Sequence, residues 1–153
     1  YLNHSYLKNP IVYCGNFALN AVLVYYVQQA ENADIKINID IALPNEISIK
    51  DADLTVLFGN LIENAIDACE NVQKDKRSIE LKIHRPNAGS IVFSIDNTFD
   101  GNIKMSGNKF LSTKQNGSGI GIESAKYVVE KYNGDIKIEI NDNKFCVSGV
   151  LLQ

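Results

Sequence analysis

Four short stretches of this chain alternate isoleucine or a close equivalent with polar residues, and segments of a different period separate them. Ile35, Ile37, Ile39 and Ile41 alternate with Lys36, Asn38 and Asp40. Ile79, Leu81 and Ile83 follow the same rule, as do Ile91, Phe93 and Ile95, and later Ile136, Ile138 and Ile140. A period of two puts every apolar side chain on one face, so each stretch reads as a half-buried strand. Elsewhere the spacing is helical: Phe17, Ala21, Val24, Tyr25 and Val27 up to about Ala30, then Leu54, Phe58, Leu61, Ile62, Ala65 and Cys69, then Ile122, Ala125, Val128, Val129 and Tyr132. Strands with one apolar face need a covering layer, and helices with one apolar side supply it. The order helix, strand, helix, two strands, loop, helix, two strands predicts an α+β fold. We expect a two-layer α/β sandwich, with a mixed, mostly antiparallel sheet and about three helices on one face.

The punctuation agrees. Leu43-Pro44-Asn45 ends the first strand, Asn87-Ala88-Gly89-Ser90 reads as a hairpin turn, and Asn133-Gly134 reads as a helix cap in the left-handed conformation. Asp142-Asn143 turns the chain into a last strand containing Phe145, Val147 and the Val150 to Leu152 stretch. The second helix starts near Asp51 or Asp53. Either can act as N-cap, with its charge at the positive end of the helix dipole, and the helix should run to about Val72. The charged cluster from Gln73 to Ser78 should be exposed. From Thr98 to Ser118 no period survives, and Gly101, Gly107 and Gly117 stand among Asn, Ser and Lys. A structureless loop of about twenty residues in a compact domain is usually a functional lid or disordered.

A length of 153 residues suits one domain. Residues 15–153 should form it, with residues 1–14, which begin without Met, as the remnant of an upstream segment. A net charge of -3 gives no electrostatic footprint for nucleic acid or an anionic membrane, and no run approaches the ~20 apolar residues of a membrane span. Cys14, Cys69 and Cys146 are far apart and in apolar surroundings, which predicts reduced core thiols in a cytosolic protein rather than a zinc site or disulfides.

Two features carry chemistry. On the second helix, at ~100° per residue, Asn60, Glu63, Asn64 and Asp67 share one narrow polar arc opposite the apolar face. Two carboxamides one turn apart are poor helix formers, so solubility alone would not select them. The second feature is Gly117-x-Gly119-x-Gly121 at the start of the third helix, where backbone can approach a phosphate and free N–H groups meet it. The preceding long loop excludes the dinucleotide fingerprint, and no Gly-Lys-Ser/Thr ending follows. Just upstream, Phe110-Leu111-Ser112-Thr113-Lys114 places a hydroxyl and a mobile point charge near the same loop.

In their order and intervals, Asn60-x-x-x-Asn64-Ala65, Phe110 to Lys114 and Gly117-x-Gly119-x-Gly121 resemble the N box, F box and G2 box of the catalytic, ATP-binding domain of sensor histidine kinases, which has the GHKL (Bergerat) fold. Gly15-Asn16 and Val129-Glu130-Lys131-Tyr132-Asn133-Gly134 are similar to the accessory-gene-regulator type of quorum-sensing receptor kinases. The resemblance implies ATP and Mg2+ as cofactors. Asn64 would coordinate Mg2+ through its amide oxygen, phosphates and water completing the shell, and Asn60 would contact the phosphates or a metal-bound water. Asn60, Asn64 and Lys114 are thus the candidate catalytic residues. Asp67, Asn97, Gly101, Thr113, Lys114, Gly117, Ser118, Gly119 and Gly121 join the two asparagines in binding nucleotide. Glu63 either orients water or is merely exposed. ATP-hydrolysing relatives place a Glu one turn before the metal-binding Asn, where this chain has Asn60, which cannot act as a base.

The adenine motif departs from the family pattern. Where histidine kinases usually carry Asp-x-Gly-x-Gly, this chain has Asn97-Thr98-Phe99-Asp100-Gly101, and only the last glycine survives. Strand parity turns Asn97 inward to accept the adenine amino group through its carbonyl oxygen; Asp96 is the alternative, facing the other way. His4 and His84 read as structural or exposed, so the phosphoacceptor His would lie upstream, in a dimerisation domain of the same receptor. The resemblance therefore implies the cytoplasmic domain of a membrane-bound receptor, linked indirectly to a response regulator. Its only contact with membrane would be through upstream segments, and nucleic acid is not a partner. Two other readings are a stand-alone serine kinase of the anti-sigma-factor type and a non-catalytic interaction module.

Overall fold

The computed structural model describes residues 10–102, 104–106, 109–111 and 120–153. Their order is α1 (Phe17–Asn32), β1 (Lys36–Ala42), α2 (Asp51–Glu70), a short 3-10 helix (Lys74–Lys76), β2 (Ser78–Asn87), β3 (Ser90–Thr98), β4 (Lys104–Ser106), β5 (Lys109–Leu111), α3 (Ile120–Lys131), β6 (Asp135–Asn141) and β7 (Lys144–Leu152). Five strands form one sheet in the order β1-β2-β3-β7-β6. β1 and β2 are parallel because α2 carries the chain back between them, and the other neighbours are antiparallel. The mixed, mostly antiparallel sheet of the sequence reading is observed.

Alternation fixes the register. Three rows cross the sheet on its helix-covered face: Ile37, Ile79, Asn97, Phe145, Ile140; then Ile39, Leu81, Ile95, Val147, Ile138; then Ile41, Ile83, Phe93, Gly149, Ile136. Asn97 is the one polar side chain in these rows. The next row on the opposite face reads Asn38, Glu80, Asp96, Cys146, Glu139. Asn97 therefore faces the helices and Asp96 faces away from them.

α2 lies at the centre of the helical layer. Leu54, Leu57, Phe58, Gly59, Leu61, Ile62, Ala65, Ile66 and Cys69 are buried along it, and the Phe58 ring meets Phe93 edge-on at 5.5 Å. Arg77 ties the far ends of the first two helices. Its guanidinium donates to the carbonyls of Ala33 (2.7 Å), Val72 (2.8 Å) and Glu70 (2.9 Å), where the helix dipoles place partial negative charge. No helix among the described residues is long and apolar enough to cross a membrane.

Four expectations need correction. α1 exists, but its core face is Leu19, Val22, Leu23, Val27 and Ala30, while Phe17, Val24 and Tyr25 are exposed. No charged residue occurs from Phe17 to Ala30, so the helix is apolar on both sides and spacing cannot select the buried one. Neither Asp51 nor Asp53 is the N-cap of α2. Lys50 holds that position without a side-chain bond, and both aspartates sit in the first turn, where they still oppose the dipole. The segment after Thr98 is not structureless, because β4 and β5 pair antiparallel within it; strands of three residues are too short to show alternation. Finally, of the three free cysteines only Cys69 is buried, because Cys146 stands on the outward parity of β7.

Candidate functional site

The polar arc of α2 lies at the edge of its buried face. Asn60, Asn64 and Asp67 are half-buried and Glu63 is exposed. Asn60 donates from Nδ2 to the Val56 carbonyl at 2.7 Å. A carbonyl only accepts, so this bond fixes which end of the amide points where: one N–H of Nδ2 is used, and Oδ1 remains as an acceptor beside the second N–H. One turn on, ~6 Å along the axis, the Asn64 carboxamide has no hydrogen-bond partner among the described residues.

α3 brings its first turn against this arc. A Cβ on Gly121 would lie 3.6 Å from the Asn60 carbonyl oxygen and 3.7 Å from both its Cβ and its Oδ1. The N–H groups of a first helical turn have no partners within the helix and carry positive potential, so donors and Asn60 face a common space. Ala125, Val128 and Val129 pack the middle of α3 into the core.

The other end of α3 is bolted to the start of α2. The Tyr132 hydroxyl donates to Asp53 Oδ2 at 2.5 Å, and Lys131 Nζ donates to the same oxygen at 2.9 Å. Lys50 N in turn donates to the Tyr132 oxygen at 3.0 Å. The bonds from Tyr132 first and Lys131 second hold the Asp53 carboxyl below the usual carboxylate range. Burial, then the Asp53 carboxylate, pushes the Tyr132 hydroxyl up. The sequence reading assigned Tyr132 to an apolar stripe and Asp53 to a cap, and so missed this pair. An aromatic residue with a polar tip at the last core position of a helix is the signal that was available.

The exit of β3 forms the far end of the site. Asn97 is 1% exposed among apolar neighbours, and its Nδ2 donates to the Thr98 carbonyl at 3.0 Å. Its Oδ1 is again the acceptor left over. Thr98 lies beside Cys69 of α2, whose sulfur is 3.4 Å from the Thr98 carbonyl. Nine residues of α2 separate Cys69 from Asn60, about 14 Å of helix, so the polar arc runs from the β3 exit to the first turn of α3. Beyond Thr98 the chain is held in place: Phe99 N donates to the Asn143 carbonyl at 3.0 Å. Asp100 Oδ1 accepts from Asn102 N at 2.9 Å, and Gly101 adopts φ 87°, which favours glycine.

The structure thus brings together Asn60, Asn64, Asp67 and Gly121, with Asn97 and Gly101 at the other end of the arc. Thr113, Lys114, Gly117, Ser118 and Gly119 lie outside the described residues, as does His4. His84 stands on β2, its Nε2 3.1 Å from Asp40 and half exposed, away from this arc.

The site offers an acceptor buried among apolar side chains at the β3 exit, a row of polar side chains about two turns long and the first-turn N–H groups of α3 beside two carboxamides. Among the described residues no group of three or more His, Cys, Asp or Glu converges as a metal cluster. A hard cation taking one amide oxygen here would draw its other ligands from a bound anion and water, a donor set that suits Mg2+.

The profile of the GHKL domain family matches residues 49–153. No curated protein sequence matches the chain. Among solved structures, the catalytic domain of histidine kinase ThkA superposes with a TM-score of 0.68 at 19% identity, covering 88% of this chain and 90% of that one. The mycobacterial sensor histidine kinase MprB gives 0.68 at 16% identity, with 88% and 93% covered. Full-length ShkA in complex with AMPPNP gives 0.64 at 16% identity, with 87% of this chain and 28% of that one covered. At such identities the likeness is one of fold.

Proposed function

The chain belongs to the GHKL domain family, and on that footing we propose that it is the Mg2+·ATP-binding catalytic domain of a sensor histidine kinase. In this reading it donates the γ-phosphoryl group to a His on a separate dimerisation domain. The carrying observation is the first turn of α3 set against Asn60, with Asn64, which has no hydrogen-bond partner among the described residues, one turn away on the same arc. The complex of ShkA with AMPPNP is consistent with nucleotide as the ligand of this fold.

Each residue has work suited to the atoms it leaves free. The Asn97 oxygen accepts from the exocyclic amino group of adenine, neutral where a carboxylate would be charged, so purine affinity is modest. Asp67 and the arc beyond it border the sugar and phosphates. The amides at Gly121 meet the phosphate chain, as helix N-termini commonly do, and the resemblance assigns Thr113, Lys114, Gly117, Ser118 and Gly119 to the same phosphates. Asn64 would hold Mg2+ through Oδ1, and the chemistry supplied there would be neutralisation of phosphate charge. Beside its bond to Val56, Asn60 keeps Oδ1 as an acceptor and the second N–H of Nδ2 as a donor, which suits contact with the phosphates or with a metal-bound water. Lacking a basic side chain at that position, the site positions phosphate for transfer and does not activate water. The reading extends to a cytoplasmic domain of a membrane-bound receptor acting on a response regulator through its phosphoacceptor domain, with quorum sensing as the signal class.

Titration calorimetry with ATP, with and without Mg2+, tests the assignment. Binding should need Mg2+, and Asn64→Ala should weaken it about tenfold or more, the worth of a bond to a charged partner. Equal affinity with and without Mg2+, or an unaffected Asn64→Ala variant, would remove Asn64 from the metal.

A further inference from the structure

We infer that Tyr132, held by Asp53, is a positioning residue that sets the height of the first turn of α3 on Asn60 and so tunes phosphate binding. The inference rests on the nucleotide reading above and assigns to that site a part that lies outside its motifs.

α3 touches α2 at two polar points. Near its start, Gly121 abuts Asn60; just beyond its end, Tyr132 meets Asp53 and the Lys50 amide. Asp53 precedes Asn60 along α2 while Tyr132 follows Gly121 along α3, so the two helices run antiparallel between these points. The buried residues between them on α3 are apolar: Ile122, Ala125, Val128 and Val129. Apolar contact is non-directional, and packed helices slide over one another by small shear motions. Hydrogen bonds are directional and fail steeply with angle. The Tyr132 hydroxyl is therefore well suited to hold register. It donates to a carboxylate that Lys131 also binds, and it accepts from the backbone at the N-cap of α2. α3 is a stiff rod of ~1.5 Å per residue. A slip of one residue at Tyr132 becomes the same ~1.5 Å slip at Gly121, enough to misplace phosphate-binding amides.

The test compares ligands that do and do not carry phosphates. Mg2+·ATP and adenosine are titrated by NMR into the wild type, Tyr132→Phe, Asp53→Ala, Asp53→Asn and the double variant Tyr132→Phe/Asp53→Ala, well below their melting temperatures. Tyr132→Phe should weaken ATP about three- to tenfold, on the scale of one ordinary net hydrogen bond, and leave adenosine unchanged. Asp53→Asn keeps an acceptor oxygen and should retain most of the ATP affinity that Asp53→Ala loses. The double variant should lose no more than the worse single one. Equal losses for ATP and adenosine would reduce the pair to a structural prop and overturn the inference. So would unchanged ATP affinity in Tyr132→Phe while the wild type binds ATP. Failure of the wild type to bind ATP would overturn the nucleotide reading itself, and this inference with it.

Discussion

Gly121→Ala should make the fold slightly more stable and the site worse, and both effects can be worked out from the same contacts. Gly121 lies in the first turn of α3 without the positive φ that would demand glycine. Among the described residues, the nearest atom outside its own helix that a Cβ would meet is the Asn60 carbonyl oxygen at 3.6 Å, an ordinary contact. Alanine loses less backbone entropy than glycine, by up to ~1 kcal/mol within a helix; we take about half of that for a first turn. At roughly 2–4 °C per kcal/mol for a chain this long, the melting temperature should rise by about 1–2 °C. The same methyl stands 3.7 Å from Asn60 Oδ1, in the space where a water on the metal would donate to that oxygen. Displacing one hydrogen bond of this charge-assisted kind costs ~1.4 kcal/mol, about tenfold in Mg2+·ATP affinity. Circular dichroism melts without nucleotide and calorimetric titration with it measure the two quantities separately. A fall of several degrees would show that no room exists at Gly121. An unaltered affinity would show that bound nucleotide does not reach the space between Gly121 and Asn60.

Acid stability should carry the signature of Asp53. Its folded pKa is lowered, first by Tyr132 and then by Lys131, so its contribution is present above the unfolded value near 4 and is lost as pH falls through the lower folded value. Asp53→Asn should flatten the acid side of a urea-denaturation series, below the unfolded value near 4, and an unchanged slope would refute the coupling. Cys146 is pushed up to about 11, chiefly by burial and then by its hydrogen bond to Asp96. Only thiolate reacts with alkylating agents, so at pH 8 its carbamidomethylation should run about a hundredfold slower than that of an ordinary exposed thiol. Comparable rates, read by mass spectrometry of the Cys146 peptide, would contradict this.

The sheet was legible because alternation leaves no freedom: once Ile91, Phe93 and Ile95 point inward, Asn97 must follow and Asp96 cannot. The same logic read α2 correctly, since its polar arc and apolar face are distinct. It failed on α1, where fourteen successive residues from Phe17 to Ala30 carry no charge and only tertiary packing decides that Leu19 and Leu23 go in while Phe17 stays out. The capping residue of α2 was misread for a related reason. Asp53 has the chemistry of a cap, but Tyr132, distant in sequence, claims its carboxylate. The polar row of the site, Asn60, Asn64 and Asp67, is local and could be read from spacing. The approach of Gly121 to Asn60 is a meeting of two helices that no window along the chain contains.

α2 is also the crossover between β1 and β2, the parallel pair of the described sheet. Parallel strands cannot be joined by a tight turn, so the chain closes this part of the sheet only with α2 docked between them. The helix that bears Asn60 and Asn64 buries nine residues along its length, so its amides should be among the slowest to exchange with solvent. Loosening the element that carries the two carboxamides is therefore a costly way to turn the site off. Control has to be exerted by what comes to α2 from outside, with α3 the nearest element able to move.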